Sequence, residues 1–126
     1  MSKLILIVDD SSTAVDQCKT VLHNNGFETV VATNGIDAIA MSKEHKPNAI
    51  LMDIVMPGEI NGFQATRQIT RDPETKDIPV IMVTNKDQET DRIWGKRQGA
   101  KWYLTKPVSD ADLINTINEA LTLGSA

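Results

Sequence analysis

Residues 50–57 read "ILMDIVMP", which places a carboxylate among Ile50, Leu51, Met52, Ile54, Val55 and Met56. Aspartate is among the side chains least often buried without a partner. Either this run is exposed, or Asp53 ends a buried strand and is kept there for chemistry. Two other runs have the same character: "KLILIV" (3–8), followed by Asp9 and Asp10, and "PVIMV" (79–83), followed by Thr84. With "AILM" (49–52) they are nearly continuous apolar stretches, as expected of parallel strands covered by helices on both faces. "ETVVAT" (28–33) is more polar and "WYL" (102–104) very short, so both suit the edges of a sheet.

Between these runs the apolar period changes to that of helices. Ala14, Cys18, Val21 and Leu22 share one helical face, as do Leu113, Ile117, Ala120 and Leu121, and the Ser109–Asp110 pair can cap the last helix. The segment from Asp87 to Gln98 is weaker. Ile93 and Trp94 are its only large apolar residues, and Gly95 lowers helix propensity by about 1 kcal/mol relative to Ala. A helix held loosely against the core is expected there. Five strand-then-helix repeats with right-handed crossovers predict an α/β fold: a flavodoxin-like, doubly wound (βα)5 three-layer sandwich with parallel sheet order 2-1-3-4-5. A chain of 126 residues without a linker or repeat predicts one domain, 1–126, and no output domain.

Composition removes several function classes. Thirteen basic against seventeen acidic residues leave a net charge of −4, with no Lys/Arg run to track a phosphate backbone, so nucleic acid is not an expected partner. The apolar stretch Leu4–Val8 is too short for a signal peptide or a membrane span, which predicts a cytoplasmic protein without membrane insertion. Cys18, His23 and His45 lack metal-ligand spacing and are expected to be a core thiol and two surface imidazoles. Neither G-x-x-x-x-G-K-[ST] nor G-x-G-x-x-G occurs. Val55 stands where a haloacid-dehalogenase-type phosphatase would need its second aspartate, and neither histidine lies near a strand's carboxyl end to serve a Ser-His-Asp triad.

In doubly wound sheets ligands bind at the carboxyl ends of the strands, where the strand order reverses, here between the first and third. Asp9, Asp10, Asp53, Thr84 and Lys106, with Pro107 after it, all fall at that edge. Singly, each has an ordinary reading: Asp9 or Asp10 as a cap for the helix beginning near Ser12, Thr84 as a cap near Asp87, Lys106 as a solvated loop residue. Jointly they pose an electrostatic problem. Two like charges about 4 Å apart repel by roughly 1 kcal/mol in water and roughly 4 kcal/mol at an effective dielectric of 20. Three carboxylates therefore need cations, and Lys106 supplies only one. A cluster of hard oxygens favours Mg²⁺, which is commonly completed by waters and a substrate phosphate. The cluster suits phosphoryl transfer.

Four ordered motifs, "ILIVDDS" (5–11), "LMDIVMP" (51–57), "IPVIMVT" (78–84) and "GAKWYLTKP" (99–107), resemble the CheY-like receiver domains of two-component response regulators over essentially the whole chain. "DIVMPG", "NGFQATRQ" and "TNKDQETDRIWGKRQGA" are similar to the stand-alone receivers that control twitching motility through type IV pili. The resemblance implies a signalling protein, not an enzyme in the usual sense, that assists only its own phosphorylation and dephosphorylation. Asp53 would accept a phosphoryl group from the phosphohistidine of a chemotaxis-like histidine kinase. Asp9, Asp10, Asp53 and the backbone carbonyl of Val55 would hold Mg²⁺. Lys106 would pair with the phosphoryl oxygens, Thr84 would donate its hydroxyl to one of them, and Tyr103 would follow Thr84 as a switch. The Lys106–Pro107 bond would be cis.

The implied output is a monomer acting on a downstream motility protein. A phosphate sink for a shared kinase and a constitutive interaction module are the alternatives. Two departures from the family pattern stand out. "PGEING" has four residues between proline and glycine where three are usual, and Asn85 with Lys86 follows the switch threonine where a small residue is common.

Overall fold

The computed structural model describes residues 2–123. Its elements alternate as predicted: β1 (Leu4–Val8), α1 (Ser12–Asn24), β2 (Glu28–Ala32), α2 (Gly35–His45), β3 (Ala49–Met52), α3 (Gly62–Arg71), β4 (Val80–Thr84), α4 (Glu89–Arg97), β5 (Trp102–Thr105) and α5 (Asp110–Leu123). All four strand pairings are parallel, and the order is β2-β1-β3-β4-β5. The more polar second run and the short fifth run do form the edges, because those strands have a neighbour on one side only.

Side chains alternate across a strand, so consecutive residues of one apolar run feed two cores. Leu6, Val8, Ile50, Met52, Val80 and Met82 face Ala38 of α2 and Phe63, Ala65 and Ile69 of α3. Ile5, Ile7, Leu51 and Ile81 face Val15 and Leu22 of α1 and Leu113, Ile117 and Ala120 of α5. Burying a side chain of this size contributes about 1.5–3 kcal/mol. The two-sided burial of β1, β3 and β4 thus explains why their sequences do not alternate.

Caps follow the sequence closely. The Ser11 hydroxyl accepts from the amide of Ala14 and opens α1, and the Ser109 hydroxyl accepts from the amide of Asp112 at 3.1 Å and opens α5. Neither Asp9 nor Asp10 takes the cap of α1, which leaves both available to the site. The half-buried Cys18 packs against the second core, and burial, with the charge of Asp9 next, pushes its thiol up to about 11. His23 and His45 are exposed.

The weak fourth helix is shorter than the segment from Asp87 to Gln98. It spans Glu89–Arg97, has no side-chain cap at Gln88, and buries only Gly95. Ile93 and Trp94 remain 47% and 46% exposed. Among the described residues no helix is long and apolar enough to cross a membrane.

Candidate functional site

The carboxyl ends of β1 and β3 lie side by side, with Val8 paired to Met52. Each strand is therefore followed at the same level by an aspartate. Asp53 stands just past β3 and not within it, yet its amide still donates to the carbonyl of Val8 at 3.0 Å, so the ladder continues through its backbone. The ordinary alternative for "ILMDIVMP" is removed by burial: Ile50 to Met52 are in the core, and Asp53 is 9% exposed with partners.

Lys106 lies between the two carboxylates. Its Nζ donates to Asp9 Oδ2 at 2.7 Å and to Asp53 Oδ2 at 3.2 Å. Burial pulls the ammonium's pKa down, but the hydrogen bond to Asp9 and the charges of Asp53 and Asp9 outweigh it and hold the pKa above the ordinary lysine value. The lysine thus stays charged where it is needed. The remaining carboxylate oxygens are fixed by backbone: Asp9 Oδ1 accepts from the amide of Ser11 at 2.9 Å, and Asp53 Oδ1 from the amide of Ile54 at 2.7 Å. These bonds hold the side chains in one orientation before any ligand arrives.

Asp10 is exposed and completes a group in which Asp9, Asp10 and Asp53 each offer an oxygen within 4.8 Å of the others. Oxygens around one octahedral Mg²⁺, each at about 2.0–2.1 Å, lie roughly 3–4 Å apart. A small closure, or one intervening water, would therefore fit the three carboxylates to that ion. One ammonium against three carboxylates leaves charge for a divalent cation to balance.

Thr84 ends β4 and is 1% exposed. Its Oγ1 accepts from the amide of Lys86 at 3.3 Å, so the hydroxyl keeps its own proton to donate. Opposite Thr84 in the sheet is Thr105, and Lys106 donates its amide to the carbonyl of Thr84 at 2.8 Å. Thr84 and Lys106 are thus locked in register. The Lys106–Pro107 bond is cis.

Tyr103 on β5 is partly buried, and its hydroxyl donates to the carbonyl of Lys86 at 2.6 Å. Burial, then the charge of Asp91, raises its pKa. The guanidinium of Arg92 sits 4.9 Å from the ring centroid and donates to Thr105 Oγ1 at 2.7 Å. Sequence reasoning did not find Arg92, because nothing local marks an α4 arginine as a contact of β5. It also missed the glycine that follows Asn61. A side chain at Gly62 would overlap the carbonyl of Asp53, and the Gly62 amide donates to the carbonyl of Ile54 at 2.9 Å. The letters N-G-x-Q were the available signal: Asn61 and Gln64 form a reciprocal capping box that opens α3 directly after the site.

Residues 5–118 match the family model of the response regulator receiver domain. The chain belongs to that family. Protein PilH of Pseudomonas aeruginosa strain PAO1 is 57% identical over 117 residues, which cover 93% of this chain and 96% of PilH. A structure of a response regulator from Chloroflexus aurantiacus superposes with a TM-score of 0.92 at 30% identity, covering 97% of this chain and 99% of that one. The receiver domain of the sensor histidine kinase PA1611 from Pseudomonas aeruginosa PAO1 has a TM-score of 0.89 at 26% identity, with the same coverage of each chain. That structure carries a magnesium ion coordinated in its active-site cleft. This chain is therefore a signalling domain of the two-component type.

Proposed function

We propose that this receiver acts alone, as a cytoplasmic single-domain response regulator that takes a phosphoryl group on Asp53 and controls a protein partner. The observation that carries the reading is the bridge of Lys106 between Asp9 and Asp53, beside Asp10 and in register with Thr84. The donor is a phosphohistidine of a chemotaxis-like histidine kinase. The output is a motility protein of type IV pilus twitching. The similarity to PilH across nearly its full length, and the motif likeness to stand-alone twitching-motility receivers described above, support that pathway.

In the transfer, a carboxylate oxygen of Asp53 attacks phosphorus. The new O–P bond forms as the P–N bond breaks, and the donor nitrogen keeps the bonding pair and leaves as imidazole. Lys106 meets charge on the phosphoryl oxygens without having to be recruited, since it already contacts Asp53. Asp9, Asp10, Asp53 and the Val55 carbonyl would hold Mg²⁺, which would supply further positive charge at those oxygens. Afterwards Thr84 and Lys106 gain new acceptors. Moving a two-state equilibrium from 1:99 to 99:1 takes about 5.5 kcal/mol, the scale of two or three charge-assisted hydrogen bonds. Tyr103 and α4, which meet the site through Lys86 and Thr105, are the elements free to respond.

Incubation with Mg²⁺ and a small phosphodonor such as acetyl phosphate should place one hydroxylamine-labile phosphoryl group on the chain. Asp53→Asn and Asp53→Ala should abolish it. A stoichiometric label that persists in Asp53→Ala would refute the assignment.

A further inference from the structure

The loop between Asp53 and α3 contains the extra residue of "PGEING", and the structure shows how the chain absorbs it. Pro57, Gly58 and Glu59 are exposed, and Gly58 turns the chain with φ +102, a conformation that L side chains rarely adopt. Ile60 then returns to the protein and packs against the core beneath α2 and α3. Its seat is Gly35, the buried first residue of α2. A Cβ on Gly35 would lie 2.6 Å from Ile60 Cγ1, 3.0 Å from Cδ1 and 3.2 Å from the Ile60 carbonyl oxygen. The missing side chain of one residue is thus the space filled by the other.

The loop is consequently held at both ends. Gly62 fixes it against the Asp53 carbonyl, and Ile60 fixes it against α2. Only Val55 to Glu59 lie between Ile54, whose carbonyl accepts from Gly62, and this seat. A stretch that short has little freedom once its ends are set.

We infer that Ile60, seated on Gly35, is a positioning residue that aims the Val55 carbonyl toward the cation without touching it. This rests on the reading of Val55 as a metal ligand given above. Outer contacts that orient a ligand change metal affinity by about 10–100-fold when removed, whereas a contact that serves only folding changes stability and leaves affinity alone.

The test is Mn²⁺ titration of the full chain, with free Mn²⁺ measured by electron paramagnetic resonance, for the unsubstituted protein, Ile60→Ala, Gly35→Ala and the double variant. Urea midpoints are recorded alongside. Each single substitution should weaken Mn²⁺ binding by about tenfold. The double variant should bind less weakly than the two single effects combined would give, because the contacts with Ile60 Cγ1 and Cδ1 are gone and only the 3.2 Å approach to the Ile60 carbonyl oxygen remains. Affinity within twofold of the unsubstituted protein in folded Ile60→Ala, with only the urea midpoint lowered, overturns the positioning role. So does an additive double variant, which would mean that Gly35 acts independently of Ile60. Should Gly35→Ala fail to fold, Ile60→Ala alone decides. Failure of the unsubstituted chain to bind Mn²⁺ overturns the metal reading itself and the positioning role with it.

Discussion

Two segments leave the sheet at the site, one after Asp53 and one after Thr84, and the helices they lead into are held to very different degrees. The first enters α3 through the Asn61–Gln64 capping box, with Gly62 packed on the Asp53 backbone and Phe63, Ala65, Thr66 and Ile69 buried behind it. The second enters α4 without a side-chain cap, buries one glycine, and leaves Ile93 and Trp94 in solvent. What holds α4 is mostly β5: Arg92 on Tyr103 and Thr105, and Gly95 against the Tyr103 ring. The difference suits the proposed chemistry. On that reading Asp53, as the nucleophile, is aimed before the phosphoryl group arrives, while the segment after Thr84 adopts a second arrangement once the group is attached. Only an element with a small gap between two arrangements can be shifted by a few hydrogen bonds.

The most severe way to break the rigid side is Gly62→Ala. The added methyl would meet the carbonyl of Asp53 and the backbone of Ile54, none of which can move aside as a side chain could. A loss of about 3 kcal/mol or more is expected, at the upper end for overpacking, read as a lowered urea midpoint. A loss below 1 kcal/mol would show that the Asp53 backbone is free to shift, and the contrast with α4 would lose its basis.

A milder comparison exchanges the two caps. Asn61→Ala removes the acceptor for the Gln64 amide and half of the capping box, and should cost about 1 kcal/mol. Gln88→Ser offers α4 the acceptor it lacks, at a backbone conformation already extended (φ −74, ψ 150), and should gain roughly 0.5–1 kcal/mol. Both are measurable by urea unfolding. If Gln88→Ser changes nothing, the ends of α4 do not limit its stability.

The contrast was partly visible in the letters. The apolar runs at 3–8, 49–52 and 79–83 had to be two-sided strands because they do not alternate, and the poverty of 87–98 in large apolar residues marked α4 as weak. Asp9, Asp10, Asp53, Thr84 and Lys106 could be gathered at one edge because parallel strands all end on the same side. The finer geometry was not readable. Lys106 lies closer to Asp9 than to Asp53, a matter of tenths of an ångström that no spacing in the sequence encodes. Arg92 with Thr105, and Gly35 with Ile60, join residues distant in sequence, and no period or spacing encodes such pairs. Element ends also slipped. The fourth strand runs Val80–Thr84 and the fifth ends at Thr105, each one residue beyond its apolar run, with Thr84 and Thr105 paired, whereas the third keeps the expected bounds, Ala49–Met52.

The subtlest test is Gly95→Ala, in the middle of α4. In contrast to position 62, the new methyl would meet Tyr103 Cδ2 at 3.4 Å and Met82 Cγ at 3.5 Å, ordinary contact distances, so no clash opposes it. Replacing glycine in a helix interior should then stabilise α4 by about 0.5–1 kcal/mol. Hydrogen exchange at residues 89–97 should slow by about two- to fivefold, as that free energy implies, while exchange in α3 stays unchanged. A stiffer α4 held against Tyr103 should also respond less to phosphorylation, giving a smaller change in Trp94 fluorescence at equal labelling of Asp53. Slower exchange with an undiminished fluorescence change would mean that α4 moves as a rigid piece on β5. The weak point would then be the Arg92 contact with Tyr103 and Thr105, not the helix itself.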